Sequence, residues 1–139
     1  MKHEKSCGAV LFRQGADGRE YLVLHSVKGH YTLCKGHVEG DETELETARR
    51  EILEETGLSV RFVDGFRQVI TYAPRPGVTK DVVFFLTEVA EGGVPVAQPE
   101  EVAEIFFLPY DQAAALLTHD SDRETLAQAR EFLEARTER

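Results

Sequence analysis

The chain has 139 residues, 42% of them hydrophobic and 29% charged, with 16 Lys and Arg against 25 Asp and Glu and a formal net charge of −9. This is the size and composition of one globular domain, expected to cover residues 1–139, and it excludes disordered, fibrous and collagen-like classes. The acidic balance also excludes wrapping of nucleic acid, which needs a dense Lys/Arg surface, whereas a small anionic substrate can be handled if divalent cations stand between the two sets of negative charge. No apolar run approaches the roughly 20 residues that cross a bilayer, so no membrane partner is expected. The opening "MKHEKSCGAVLF" lacks the apolar length and cleavage site of a signal peptide, which points to a cytoplasmic protein. Cys7 and Cys34 are too few for a disulfide framework and lack metal-ligand spacing.

Apolar, β-branched runs at Cys7–Phe12 and Tyr21–His25 flank "RQGADGRE", whose glycines and Asp17 suit a hairpin turn. Next, Thr43 and Glu46 stand in capping-box spacing before a helix over Glu44–Thr56, and Gly57 is placed to end it. Runs rich in Val and Phe at Val60–Phe66, Arg67–Tyr72, Asp81–Val89 and Ile105–Leu108 predict further strands, separated by "APRPG" and "EGGVP". Tyr110–Leu117 reads as a short helix, and Ser121 with Glu124 as a second capping box opening a final helix toward Arg136. Strands and helices in this order predict an α/β class fold, a mixed sheet between helices on each face.

The first helix carries the chemistry. At about 100° per residue, Glu51, Glu54 and Glu55 share one arc, bordered by Leu45, Ala48 and Ile52 as the expected buried stripe. A solvated acidic face usually interleaves Lys with Glu, but this arc carries no base; Arg49 points away and only Arg50 stands at its edge. The preceding "KGHVEGDE" turns through glycines and can bring backbone carbonyls and Glu42 beside the same arc. Several oxygen ligands converging on one spot suit Mg²⁺ or Mn²⁺.

The stretch resembles the Nudix box: Gly, five residues, Glu, seven residues, Arg-Glu, an aliphatic, any residue, Glu-Glu, any residue, Gly, an aliphatic. Gly36, Glu42, Arg50, Glu51, Ile52, Glu54, Glu55, Gly57 and Leu58 fill every fixed position. The resemblance implies a Nudix-type α/β/α sandwich and metal-dependent hydrolysis of a nucleoside diphosphate linked to another moiety. Glu51, Glu54 and Glu55 would be metal ligands, with Glu51 or a carboxylate outside the box as the candidate base. Arg50 would orient a glutamate by an ion pair.

Beyond the box, "HYTLCKGHVE" and "GFRQVITYAPRPGVTKDVVFFLTEV" are similar to the asymmetrical diadenosine tetraphosphate hydrolase branch of that family. The resemblance implies that Lys35 and Lys80 bind the phosphate chain of a nucleotide polyphosphate, that His30 approaches a phosphate beside the cleavage point, and that Tyr72 and Phe132 stack on bases. Glu100 or Glu101 would add a late metal ligand or base. One departure is local: the branch has Trp and then prolines ahead of Lys-Gly-His, where this chain has Tyr31, Leu33 and Cys34, and losing prolines loosens φ in that loop. The implied reaction is cleavage of diadenosine tetraphosphate to ATP and AMP. The alternatives are hydrolysis of another nucleotide or of a diphosphoinositol polyphosphate, or a non-catalytic nucleotide-sensing Nudix module.

Overall fold

A computed structural model describes residues 2–137. The elements are β1 (Lys2–Gly15), β2 (Gly18–Ser26), β3 (Tyr31–Thr32), β4 (Cys34–His37), α1 (Glu44–Thr56), β5 (Val60–Phe62), β6 (Gln68–Arg75), β7 (Val78–Val89), β8 (Val102–Leu108), α2 (Tyr110–Leu116) and α3 (Asp120–Thr137). All the strands join one mixed sheet whose centre is the parallel pair β1·β7, running from Lys2 opposite Val78 to Phe12 opposite Glu88.

Each central strand changes partner along its outer edge. β1 pairs with β4 through Ser6–Ala9 and with β2 from Phe12 onward. β7 pairs with β6 up to Phe84 and with β5 from Thr87. One end of the sheet therefore reads β4, β1, β7, β6 from edge to edge, and that end frames the site.

Side-chain alternation along the strands makes two cores. Val10, Phe12, Val82, Phe84 and Leu86 face α2 and α3, against Ala113, Leu117, Leu126 and Ala129. Ala9, Leu11, Leu22, Leu24 and Cys34 face the other way, against Ile52 of α1. Among the described residues no helix is long and apolar enough to cross a membrane.

The ends of α1 follow from local chemistry. Thr43 Oγ1 accepts from the Glu46 N–H at 3.1 Å, while Glu46 Oε1 accepts from the Thr43 N–H at 2.8 Å. Gly57 closes the helix at φ 67°, a left-handed conformation that suits glycine, and its N–H donates to the Leu53 carbonyl.

Four expectations need correction. Leu45 is 48% exposed, and the buried stripe of α1 is instead Thr47, Ala48, Glu51, Ile52 and Thr56. The strand expected over Val60–Phe66 stops at Phe62, because the chain turns at Asp64 and Gly65. The expected strand from Arg67 starts at Gln68 and runs on to Arg75. Ser121 and Glu124 do not cap α3: the helix already begins at Asp120, the Ser121 carbonyl accepts from Thr125 Oγ1, and Glu124 binds Gln128 one turn on.

The packing of α3 is a testable element. Leu126 is fully buried in the core it forms with the sheet. Leu126→Ala is expected to lower the unfolding free energy by about 2–5 kcal/mol, read as a shift of the denaturant midpoint. A shift under about 0.5 kcal/mol would mean that α3 does not pack as described.

Candidate active site

The site is built on both faces of β4, a strand of four residues. Successive side chains point to opposite faces, so Cys34 and Gly36 face α1 while Leu33 and Lys35 face the α3 side.

On the α1 face, Gly36 abuts the Glu51 carboxylate so closely that a Cβ there would lie 2.0 Å from Glu51 Cδ. Only a glycine leaves room for that carboxylate. Glu51 is 7% exposed, and burial raises its pKa against the opposing pull of Arg50. Glu55 lies one turn on. Cys34 Sγ donates to its Oε1 at 3.0 Å. Burial, followed by the charges of Glu51 and Glu101, nevertheless raises Glu55 to about 7. Burial also pushes the Cys34 thiol well above its ordinary range, so it remains a donor. Glu54 is more open, its side chain 52% exposed.

Arg50 gathers this cluster. Its Nε donates to Glu42 Oε2 at 2.7 Å and its Nη1 to Glu51 Oε1 at 2.7 Å and Glu54 Oε2 at 3.2 Å. Nη2 donates to the His37 carbonyl at 2.8 Å, and Glu39 lies 3.1 Å from Nη1. Arg50 and then the Glu39 N–H hold the Glu42 carboxyl down at about 2. Arg50, expected to orient a glutamate, thus meets several, and the closest contacts go to Glu42 and Glu51. The His37 carbonyl, which the glycine-rich loop was expected to bring near, serves Arg50.

Of the two late acidic residues, Glu101 is the one whose charge acts on Glu51 and Glu55. Both residues are exposed, and Gln98 Oε1 accepts from both of their N–H groups. Among the described residues no three His, Cys, Asp or Glu side chains already form a metal-holding group; the guanidinium sits between Glu51 and Glu54. The donor chemistry fits a hard divalent cation all the same. Glu51, Glu54 and Glu55 offer only carboxylate oxygens, and burial, followed by neighbouring carboxylate charge, raises the pKa values of Glu51 and Glu55.

On the other face, Lys35 lines a cleft of about 340 Å³ with Ile70, Tyr72, Val82, Phe84 and residues 119–122 at the start of α3. Tyr72 is 42% exposed and pairs directly with Lys80 across β6 and β7. Because Lys80, Val82 and Phe84 alternate on one strand face, the Lys80 stem continues the line of the cleft floor. Burial, then the charge of Lys35, lowers the Lys80 pKa. His30 is exposed and stacks on His119, with ring centroids 5.4 Å apart, so it stands one ring outside the cleft.

Phe132 does not join them. It packs edge-on against Phe66 at 5.7 Å and under Gly65. Phe132 is not among the residues that line the cleft with Tyr72. Asp122 was missed: it is 4% exposed, lines the cleft, and accepts from the Leu33 N–H at 3.4 Å. Nothing local in the sequence marks it, since its partner Leu33 is distant in the chain. His119 was missed for the same reason.

A family model described as NUDIX domain matches residues 2–129. The chain belongs to the Nudix family. Among Nudix relatives, the asymmetrical bis(5'-nucleosyl)-tetraphosphatase of Rattus norvegicus is 32% identical over 140 residues, covering 93% of this chain and 95% of that protein. The Sus scrofa enzyme of the same description is 31% identical with the same coverage. In three dimensions, a C. elegans Ap4A hydrolase binary complex superposes with a TM-score of 0.87 over 95% of this chain and 98% of that one, at 23% identity. At that identity the likeness shows the Nudix fold alone.

The raised Glu55 carboxyl gives a pH-dependent prediction. Its pKa is about 7 when folded against 4.5 ordinarily, so the folded chain binds this proton more tightly than the unfolded one. Glu55 therefore costs nothing below pH 4.5 and destabilises the metal-free protein increasingly as pH rises from 4.5 to 7. In EDTA, Glu55→Gln is expected to melt close to wild type near the lower limit and above wild type beyond the upper one. Thermal melts of the two proteins that stay parallel across this range would show that Glu55 titrates normally.

Proposed function

We propose that this protein hydrolyses dinucleoside polyphosphates, cutting diadenosine tetraphosphate unevenly into ATP and AMP with Mg²⁺ or Mn²⁺. The observation that carries the proposal is that one short strand, β4, has box carboxylates on one face and a cationic, tyrosine-walled cleft on the other. The relatives described as asymmetrical tetraphosphatases, matched over nearly their whole length, support the same substrate class.

Glu51, Glu54 and Glu55 would hold the metal, with Glu101 as the fourth carboxylate. When bound there, the cation supplies screening of the phosphate oxygens and a water of lowered pKa. Arg50 orients Glu51 and Glu54 and keeps Glu42 ionised. Lys35 and Lys80 bind the phosphate chain and bring it across the edge of β4 toward the carboxylates. His30 adds a contact at the mouth, and Tyr72 stacks on one adenine.

Incubation of diadenosine tetraphosphate with Mg²⁺, with products separated by chromatography, is expected to give ATP and AMP in equal amounts. Two molecules of ADP per substrate, or turnover that survives EDTA, would overturn the proposal. Glu51→Gln and Glu54→Gln are each expected to lower kcat by at least ~10² with the fold retained.

Tyr72→Ala is expected to weaken binding by about 1–3 kcal/mol, the range of a base on an aromatic ring, while Tyr72→Phe is nearly silent. The loss falls in KM, because a base several bonds from the reacting phosphorus is held almost equally in ground and transition states. Inorganic tetraphosphate, with the same kind of chain and no base, should be hydrolysed equally by both variants. An equal penalty on both substrates would remove Tyr72 from base recognition.

A further inference from the structure

Cys34 has no part in the proposal above, yet it is the side chain of β4 nearest the carboxylates. It is 0% exposed, packed among Leu22, Leu24 and Ile52, and its Sγ lies 3.0 Å from Glu55 Oε1. The resembled branch carries prolines just ahead of Lys-Gly-His, which fix φ and donate nothing. In this chain Leu33 and Cys34 supply donors instead: the Leu33 N–H reaches Asp122 Oδ2 at 3.4 Å, and the Cys34 thiol reaches Glu55.

The terminal torsion of a glutamate is broad and roughly two-fold, so a carboxylate held only by its stem samples many orientations. Glu55 is different, because the Cys34 S–H, fixed on β4, donates to its Oε1 at 3.0 Å. We infer that Cys34 is a positioning residue of the hydrolytic site, its thiol clamping the Glu55 carboxylate against β4 in the orientation that ligates the metal. This depends on Glu55 being a metal ligand.

A buried cysteine also behaves as a small hydrophobe, so the test must separate packing from donation. Cys34→Val keeps an apolar, β-branched filler and removes the donor; Cys34→Ser keeps a donor and packs less well. A clamp predicts that Cys34→Val folds with a Tm near wild type, loses kcat about ten-fold or more, and needs a correspondingly higher Mn²⁺ concentration for half-saturation in an EPR titration without substrate. Cys34→Ser should restore both quantities to within about three-fold, even with a lower Tm. A filler predicts the reverse order, and wild-type kcat and Mn²⁺ binding in Cys34→Val would overturn the inference. If Cys34→Val does not fold, Cys34→Ala against Cys34→Ser makes the same comparison.

A double-mutant cycle separates this inference from the reading of Glu55. In a Glu55→Gln background, Cys34→Val should lower kcat and Mn²⁺ binding no further. Loss on Glu55→Gln with a silent Cys34→Val overturns the clamp alone. A silent Glu55→Gln overturns Glu55 as a ligand and the clamp with it.

Discussion

One guanidinium facing four carboxylates is the constraint around which this site is arranged. Arg50 contacts Glu39, Glu42, Glu51 and Glu54 within 3.2 Å, and Glu55 and Glu101 add charge that Arg50 does not meet. Unit charges 4 Å apart interact by roughly 4 kcal/mol at the effective dielectric near a protein surface, far more than the cost of like charges on an open helix. Burial, and then the charges of neighbouring carboxylates, raise the pKa values of Glu51 and Glu55, so protonation is one relief for this crowding. A divalent cation is the other way to relieve it. Burial and crowding therefore raise the two pKa values together, burial first.

β4 turns this charge into geometry. It is too short to contribute much to the sheet, but its alternation separates two environments: Cys34 and Gly36 meet the acidic helix, and Lys35 meets the cleft. A substrate whose phosphate chain follows Lys35 and Lys80 arrives at the carboxylates without crossing the hydrophobic core. The apolar floor of Ile70, Val82 and Phe84 belongs to the main core on the α3 side, so the cleft is rigid because the fold is.

Much of this was legible in the chain itself, and what was not has a common cause. The limits of α1 could be read because both are set by residues next to the helix: Thr43 and Glu46 at one end, Gly57 at the other. The box glutamates could be placed on one arc because helical spacing alone decides it. Leu45 was misjudged because the axis of the buried stripe depends on which strands lie beneath, and they select Thr47 and Glu51 instead. Ser121 and Glu124 have capping spacing, but a helix that starts a residue earlier turns the same pair into interior positions. Phe132, Asp122, His119 and the Cys34 contact all depend on pairings between distant segments, which no local pattern encodes. The choice between Glu100 and Glu101 is of the same kind, since only the fold decides which charge acts on Glu51 and Glu55.

The parallel pairing of β1 with β7 joins the first strand to one made after more than half of the chain. During synthesis, β1, β2, β4 and α1 are made before the strand that completes their support exists. The acidic helix is therefore translated before the sheet that buries Glu51 is complete. The closure of a long loop, rather than the local order of α1, sets when its carboxylates are brought into one crowded field.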